Sequence, residues 1–123
     1  MTKRKETSTN AENRKYITEC DLTYAFCMVG GRWKLLILCK LEEGKLRFSE
    51  LSSQICNITD RMLTLQLREM EEAGIIKRTV YPQVPPKVEY EITAIGMELI
   101  PIWKQLSSWG ARHRKLYSTE AEK

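Results

Sequence analysis

RTVYPQVPPKVEYEIT, residues 78–93, is the stretch on which the fold turns. Apolar and polar residues alternate on either side of Pro82, Pro85 and Pro86, and the flanks are rich in β-branched and aromatic side chains. That pattern predicts two antiparallel strands, over residues 75–81 and 88–92, joined by a stiff tip. Proline fixes φ and has no amide. The tip therefore loses little entropy when it orders on a partner, and its edge offers few ladder hydrogen bonds. A rigid surface hairpin would satisfy the same pattern, so the preceding chain has to separate the two readings.

Immediately before it stands ITDRMLTLQLREMEEAGII, residues 58–76. Thr59 is suited to cap a helix over 60–73, and Gly74 to close it. At ~100° per residue, Leu63, Leu67 and Met70 share one side, while Arg61, Thr64, Leu65 and Arg68 cluster opposite. Further back, Ser49 reads as the N-cap of a shorter helix over 50–55, and Cys56-Asn57-Ile58 as a tight turn. Two helices across a tight turn form a helix-turn-helix, and a ribbon directly after them is a wing.

The rest of the chain completes a mainly α fold with a small β-hairpin. Leu22, Phe26 and Val29 predict a helix over 21–29 that stops at Gly30-Gly31; WKLLIL predicts a buried helix over 33–41. Lys45-Leu46-Arg47 is long enough only for a small added strand. Thr93 caps a last helical region from residue 94 through 109 and on to 117, broken or kinked at Pro101. The 123 residues bound one domain, expected over 16–117, with a disordered basic arm over 1–15 and a disordered tail over 118–123. The longest apolar run, residues 35–39, is far short of the ~20 residues a membrane helix needs, and the polar start does not resemble a secretory leader. A cytoplasmic protein is expected, with no membrane partner.

Net charge is only +4, so the distribution of basic residues matters more than their sum. A helix with a buried stripe and two arginines opposite suits the major groove of double-stranded DNA. There arginine bonds guanine edges bidentately, and Thr64 or Leu65 can touch thymine methyls; the same arginines equally suit phosphate. Gln66 lies at the core edge, placed as well for a backbone bond as for DNA. Glu69, Glu71 and Glu72 crowd the C-terminal half, so the helix is expected to enter N-terminal end first. Gln83 and Lys87 on the wing are expected to touch the minor groove or the backbone, and Ser49 to cap a helix whose amides face phosphate. The alternative is a winged-helix module that binds protein, in which Arg61 and Arg68 would be salt-bridged to neighbours. An enzyme is not expected: no glycine-rich phosphate loop, no His-containing triad and no carboxylate pair with an evident cleft is visible, and His113 sits in a basic surface segment. No cofactor is implied.

GGRWKLLIL (residues 30–38), RFSEL (47–51), the helix stretch and the wing, in that order, resemble the HxlR-type winged helix-turn-helix regulators across residues 20–109. The resemblance implies a MarR-like architecture and a homodimeric bacterial regulator bound to a palindromic operator. Terminal helices would pair across the two-fold axis through Leu22, Phe26, Leu99, Ile102, Trp103, Leu106 and Trp109, although that stripe equally suits plain core. Thr64, Gln66 and Arg68 match the family's reading helix, whereas Asp60 and Leu65 stand where it carries amide side chains. The inducing small molecule, if there is one, is not legible.

Cys20, Cys27, Cys39 and Cys56 show no CxxC pair and no neighbouring histidine, so a metal site is not expected. Cys27 and Cys39 read as inert core residues. Cys20 precedes a helix, whose dipole favours thiolate, while Asp21 opposes it. The resemblance implies sensing of oxidants, quinones or aldehydes at Cys20. Cys56, in the turn, is the candidate second thiol across a dimer.

Overall fold

The computed structural model describes residues 20–117. The expected arm over 1–15 and tail over 118–123 lie outside the described residues. In chain order the elements are α1 (Asp21–Val29), α2 (Lys34–Leu41), β1 (Leu46–Arg47), α3 (Phe48–Gln54), α4 (Asp60–Glu72), β2 (Ile76–Tyr81), β3 (Lys87–Ile92), α5 (Ala94–Met97) and α6 (Ile100–Tyr117).

The ribbon is a three-stranded sheet in the order β1-β3-β2, antiparallel throughout. The short Leu46–Arg47 strand is real: Leu46 faces Tyr90 and Arg47 faces Glu89. Along β3, Tyr90 and Ile92 are buried, and alternation sends Glu89 and Glu91 to the opposite face. The β2–β3 pairing runs from Ile76↔Ile92 out to Tyr81↔Lys87, beyond which Pro82–Pro86 form the tip.

The core collects one face of each element. Ile37 and Leu38 of α2, Leu51 of α3, Leu63, Leu67 and Met70 of α4 and Ile76 of β2 are almost wholly removed from water. Truncating any one of these to alanine would cost on the order of 2–5 kcal/mol. Between α1 and α2, Gly31 takes φ +100, a left-handed conformation that side chains resist. Gly74, at φ +79, ends α4 as expected and turns the chain into the wing.

One local assignment differs from the sequence reading, and one expected break is displaced by a few residues. The N-cap of α3 is Arg47, not Ser49: the Glu50 carboxylate reaches back to accept the Arg47 amide at 2.7 Å. Ser49 is an exposed residue within the first turn. The last helical region does break in two, with Glu98-Leu99 between α5 and α6. Pro101 then falls in the first turn of α6, where its missing amide costs nothing.

Candidate nucleic-acid interface

The helix-turn-helix is α3 and α4. The turn needs a left-handed residue, and Asn57 supplies it at φ 68. Thr59 caps α4, its hydroxyl accepting the Met62 amide at 3.1 Å. Asp60 opens the helix and accepts the Ser52 hydroxyl at 3.2 Å, which pins the start of α4 to α3.

As the periodicity predicts, Leu63, Leu67 and Met70 face the core, and Arg61, Thr64, Leu65 and Arg68 stand exposed opposite. Those four side chains line one shallow concavity of about 410 Å³. Among the described residues neither arginine makes an ion pair. Both guanidinium groups are therefore available to an anionic partner.

Gln66 belongs elsewhere. Its Oε1 accepts from Lys34 Nζ at 2.9 Å, and its amide group lies 3.2 Å from Met62 Sδ. Lys34 also pairs with Glu69 at 2.6 Å, with only 11% of the lysine side chain exposed. This clamp ties α2 to α4 and takes up one of the three glutamates at the C-terminal half of the reading helix. The lysine and its two acceptors lie more than thirty residues apart in sequence, so no local pattern announces them.

The wing is anchored at its base. The Thr93 hydroxyl donates to the Gly74 carbonyl at 2.6 Å and accepts the Gly96 amide at 3.2 Å, so chain entry and exit are joined. Lys87 is not a free cation at the tip. It lies 3.5 Å from Glu89 and 5.0 Å over the Tyr81 ring. Tyr81 also sits beside Lys45, whose ammonium it stabilises ahead of the Glu91 charge, holding that pKa above its ordinary value. Gln83 is exposed at the tip.

Large apolar side chains are exposed on the two terminal helices. No residue of α1 is buried, and Leu22 and Phe26 are 79% and 65% exposed. On α6, Ile102, Leu106 and Trp109 are more than half exposed. Trp103 is not part of that face: at 6% exposed it is core, and Leu99 is half-buried against it. Further along α6, His113 stacks between Trp109 and Tyr117, with ring centroids 5.2 and 4.8 Å away.

Cys20 is half-buried at the N-cap of α1. No side-chain capping hydrogen bond is formed there. The Thr23 hydroxyl foremost, then the Thr23 amide, favour the thiolate and hold its pKa below the ordinary value, against desolvation and the Asp21 charge. Cys56 is exposed in the turn. Cys27 and Cys39, expected in the core, are exposed instead. The periodicity of α1 and α2 placed them on apolar faces that the core of the described residues does not cover. Partial burial, then Glu42, push the Cys39 thiol up. Among the described residues, no cluster of His, Cys, Asp or Glu could hold a metal ion, and no single helix is long and apolar enough to cross a membrane.

A helix-turn-helix with an exposed basic reading face, continued directly into a β-wing, defines a winged-helix transcriptional regulator. The HxlR-like helix-turn-helix family model matches residues 28–117, and the chain belongs to that family of DNA-binding regulators. An uncharacterised HTH-type transcriptional regulator of Methanothermobacter thermautotrophicus is 50% identical over 103 residues, covering 84% of this chain and 76% of the relative. The uncharacterised regulator YtcD of Bacillus subtilis is 50% identical over 102 residues, covering 83% and 79%. Among solved structures, the redox regulator HypR in its reduced form superposes with a TM-score of 0.77 at 43% identity, over 81% of this chain and 99% of that one.

Proposed function

We propose that the protein is a homodimeric, sequence-specific regulator that binds a palindromic operator. Arg61, Thr64, Leu65 and Arg68 enter the major groove in this reading, and the wing, through Gln83, lies against the adjacent minor groove. One observation carries it: two arginines stand exposed and unpaired, among the described residues, on the face of α4 opposite the core. The alternative, a module that binds protein, expects Arg61 and Arg68 to be salt-bridged to neighbours, and among the described residues neither is.

Self-association has its own support. A nine-residue helix is marginal in water, and α1 buries none of its residues in the protomer. A second copy covering Leu22, Phe26, Ile102, Leu106 and Trp109 supplies the missing contact, with Leu99 at its margin. Selection of duplexes from a random-sequence pool, with sedimentation of the same protein, tests both parts. Two-fold-symmetric sites and a dimeric mass are expected; a monomer, or sites without symmetry, would overturn the reading.

We further propose that Cys20 makes binding responsive to oxidants or electrophiles. The lowered thiol pKa supports this, as does similarity to a structure named as a redox regulator. The exposed Cys56 is the second thiol for a disulfide across the dimer, the oxidant taking up two electrons and two protons. Operator affinity is measured before and after peroxide or quinone treatment, for the wild type and Cys20→Ser. Identical responses dispose of the sensor.

A further inference from the structure

We propose that Val84, at the tip of the wing, determines specificity by packing its methyl groups on the floor of the minor groove and so selecting A·T over G·C pairs. The proposal rests on the reading that the domain binds duplex DNA with its wing at the minor groove.

The tip has no charge to offer. Residues 82–86 are Pro-Gln-Val-Pro-Pro. The adjoining cation, Lys87, is held between Glu89 and the Tyr81 ring. Residues 82–86 therefore have no point charge of their own with which to hold phosphate. What it presents is Val84, 98% exposed, far more than any other large apolar side chain among the described residues. A lone valine between Gln83 and Pro85 is too small a patch to anchor a protein partner. It does match the width of a groove ~6 Å across.

The chemistry of that groove then gives the direction of selection. A·T and T·A present only acceptors there, whereas G·C adds the guanine N2 amino group. A β-branched side chain pressed on the floor occupies the space of that amino group and offers it no acceptor. The donor would be stripped of water and left unpaired, or the valine would be lifted off. Gln83 beside it does not discriminate in this way, because its carboxamide both donates and accepts. Apolar side chains placed in the minor groove are an established device of DNA-binding proteins. The three prolines hold the tip in shape, so little order has to be bought on binding.

The test uses duplexes recovered from the random pool, with each A·T pair flanking the recognition-helix contacts replaced in turn by G·C or by hypoxanthine·C. Hypoxanthine is guanine without the N2 amino group, so this pair keeps the major-groove face of G·C and loses the minor-groove donor. For the wild type, G·C at the wing position is expected to weaken binding about tenfold, and hypoxanthine·C to bind as A·T does. V84G is expected to bind all three duplexes within about twofold of one another, with V84A between. Hypoxanthine·C as weak as G·C, or V84G keeping the tenfold difference, would overturn the assignment while leaving DNA binding intact. Absence of binding to the parent A·T duplex would instead remove the reading on which the assignment stands.

Discussion

Replacing Arg61 or Arg68 with alanine distinguishes the ways in which the exposed face of α4 can hold DNA. The two lie seven residues apart, about 10 Å along the helix, so in the proposed complex they would meet different base pairs or phosphates. Neither makes an ion pair among the described residues, so each deletion leaves no orphaned intramolecular charge. Stability should then change by no more than ~0.5 kcal/mol, which a thermal melt checks. In a dimer each substitution removes two cations. Where the arginine sits on phosphate, the slope of log K against log salt should become shallower by about two units. That corresponds to roughly a tenfold smaller loss of affinity between about 50 and 200 mM salt. Where it bonds a guanine edge, the slope stays, and discrimination worth roughly 1–3 kcal/mol disappears at one position per half-site. Anisotropy titrations across salt, on the selected duplex and its single-base variants, read both quantities. An Arg61→Ala, Arg68→Ala double variant with wild-type affinity, slope and base preference would refute the assignment of this face to DNA.

Lys87→Ala should leave the salt slope within about half a unit of wild type, since the lysine is engaged by Glu89 and Tyr81; a change near two units would show that it exchanges those partners for phosphate. Thr23→Ala removes the largest influence holding the Cys20 thiol down. The pH–rate profile for iodoacetamide at Cys20 should shift to higher pH, with slower reaction at neutrality, and an unmoved profile would contradict that cause. Gly96→Ala puts a Cβ against the Ile75 carbonyl and 2.7 Å from Ile92 Cγ2. It should cost at least ~2 kcal/mol in a urea melt, because the obstruction includes backbone.

The reading helix and the wing were legible because each is punctuated locally. Thr59 and Gly74 bracket α4, its apolar residues keep one helical period, and strand alternation flanks the prolines. The cap of α3 was not legible. Ser49 has the better cap chemistry, but Glu50 reaches back to the Arg47 amide and starts the helix earlier. Periodicity also could not separate an apolar face packed on the core from one left outside it. Trp103 fell on the first side, Cys27 and Cys39 on the second. The intramolecular partners of Lys87 and Gln66 were not legible either, because they are set by register and tertiary packing. Tyr81 opposite Lys87, and Lys34 beside Gln66, emerge only once sheet and helices are assembled.

The bond from Lys34 to Gln66 and Glu69 makes one lever of two rods. The lysine sits on the core side of α4 and the two arginines on the opposite side, so the brace holds the helix from behind the exposed face. Lys34→Met would sever both links at once and leave the orientation of α4 to its apolar stripe of Leu63, Leu67 and Met70 alone.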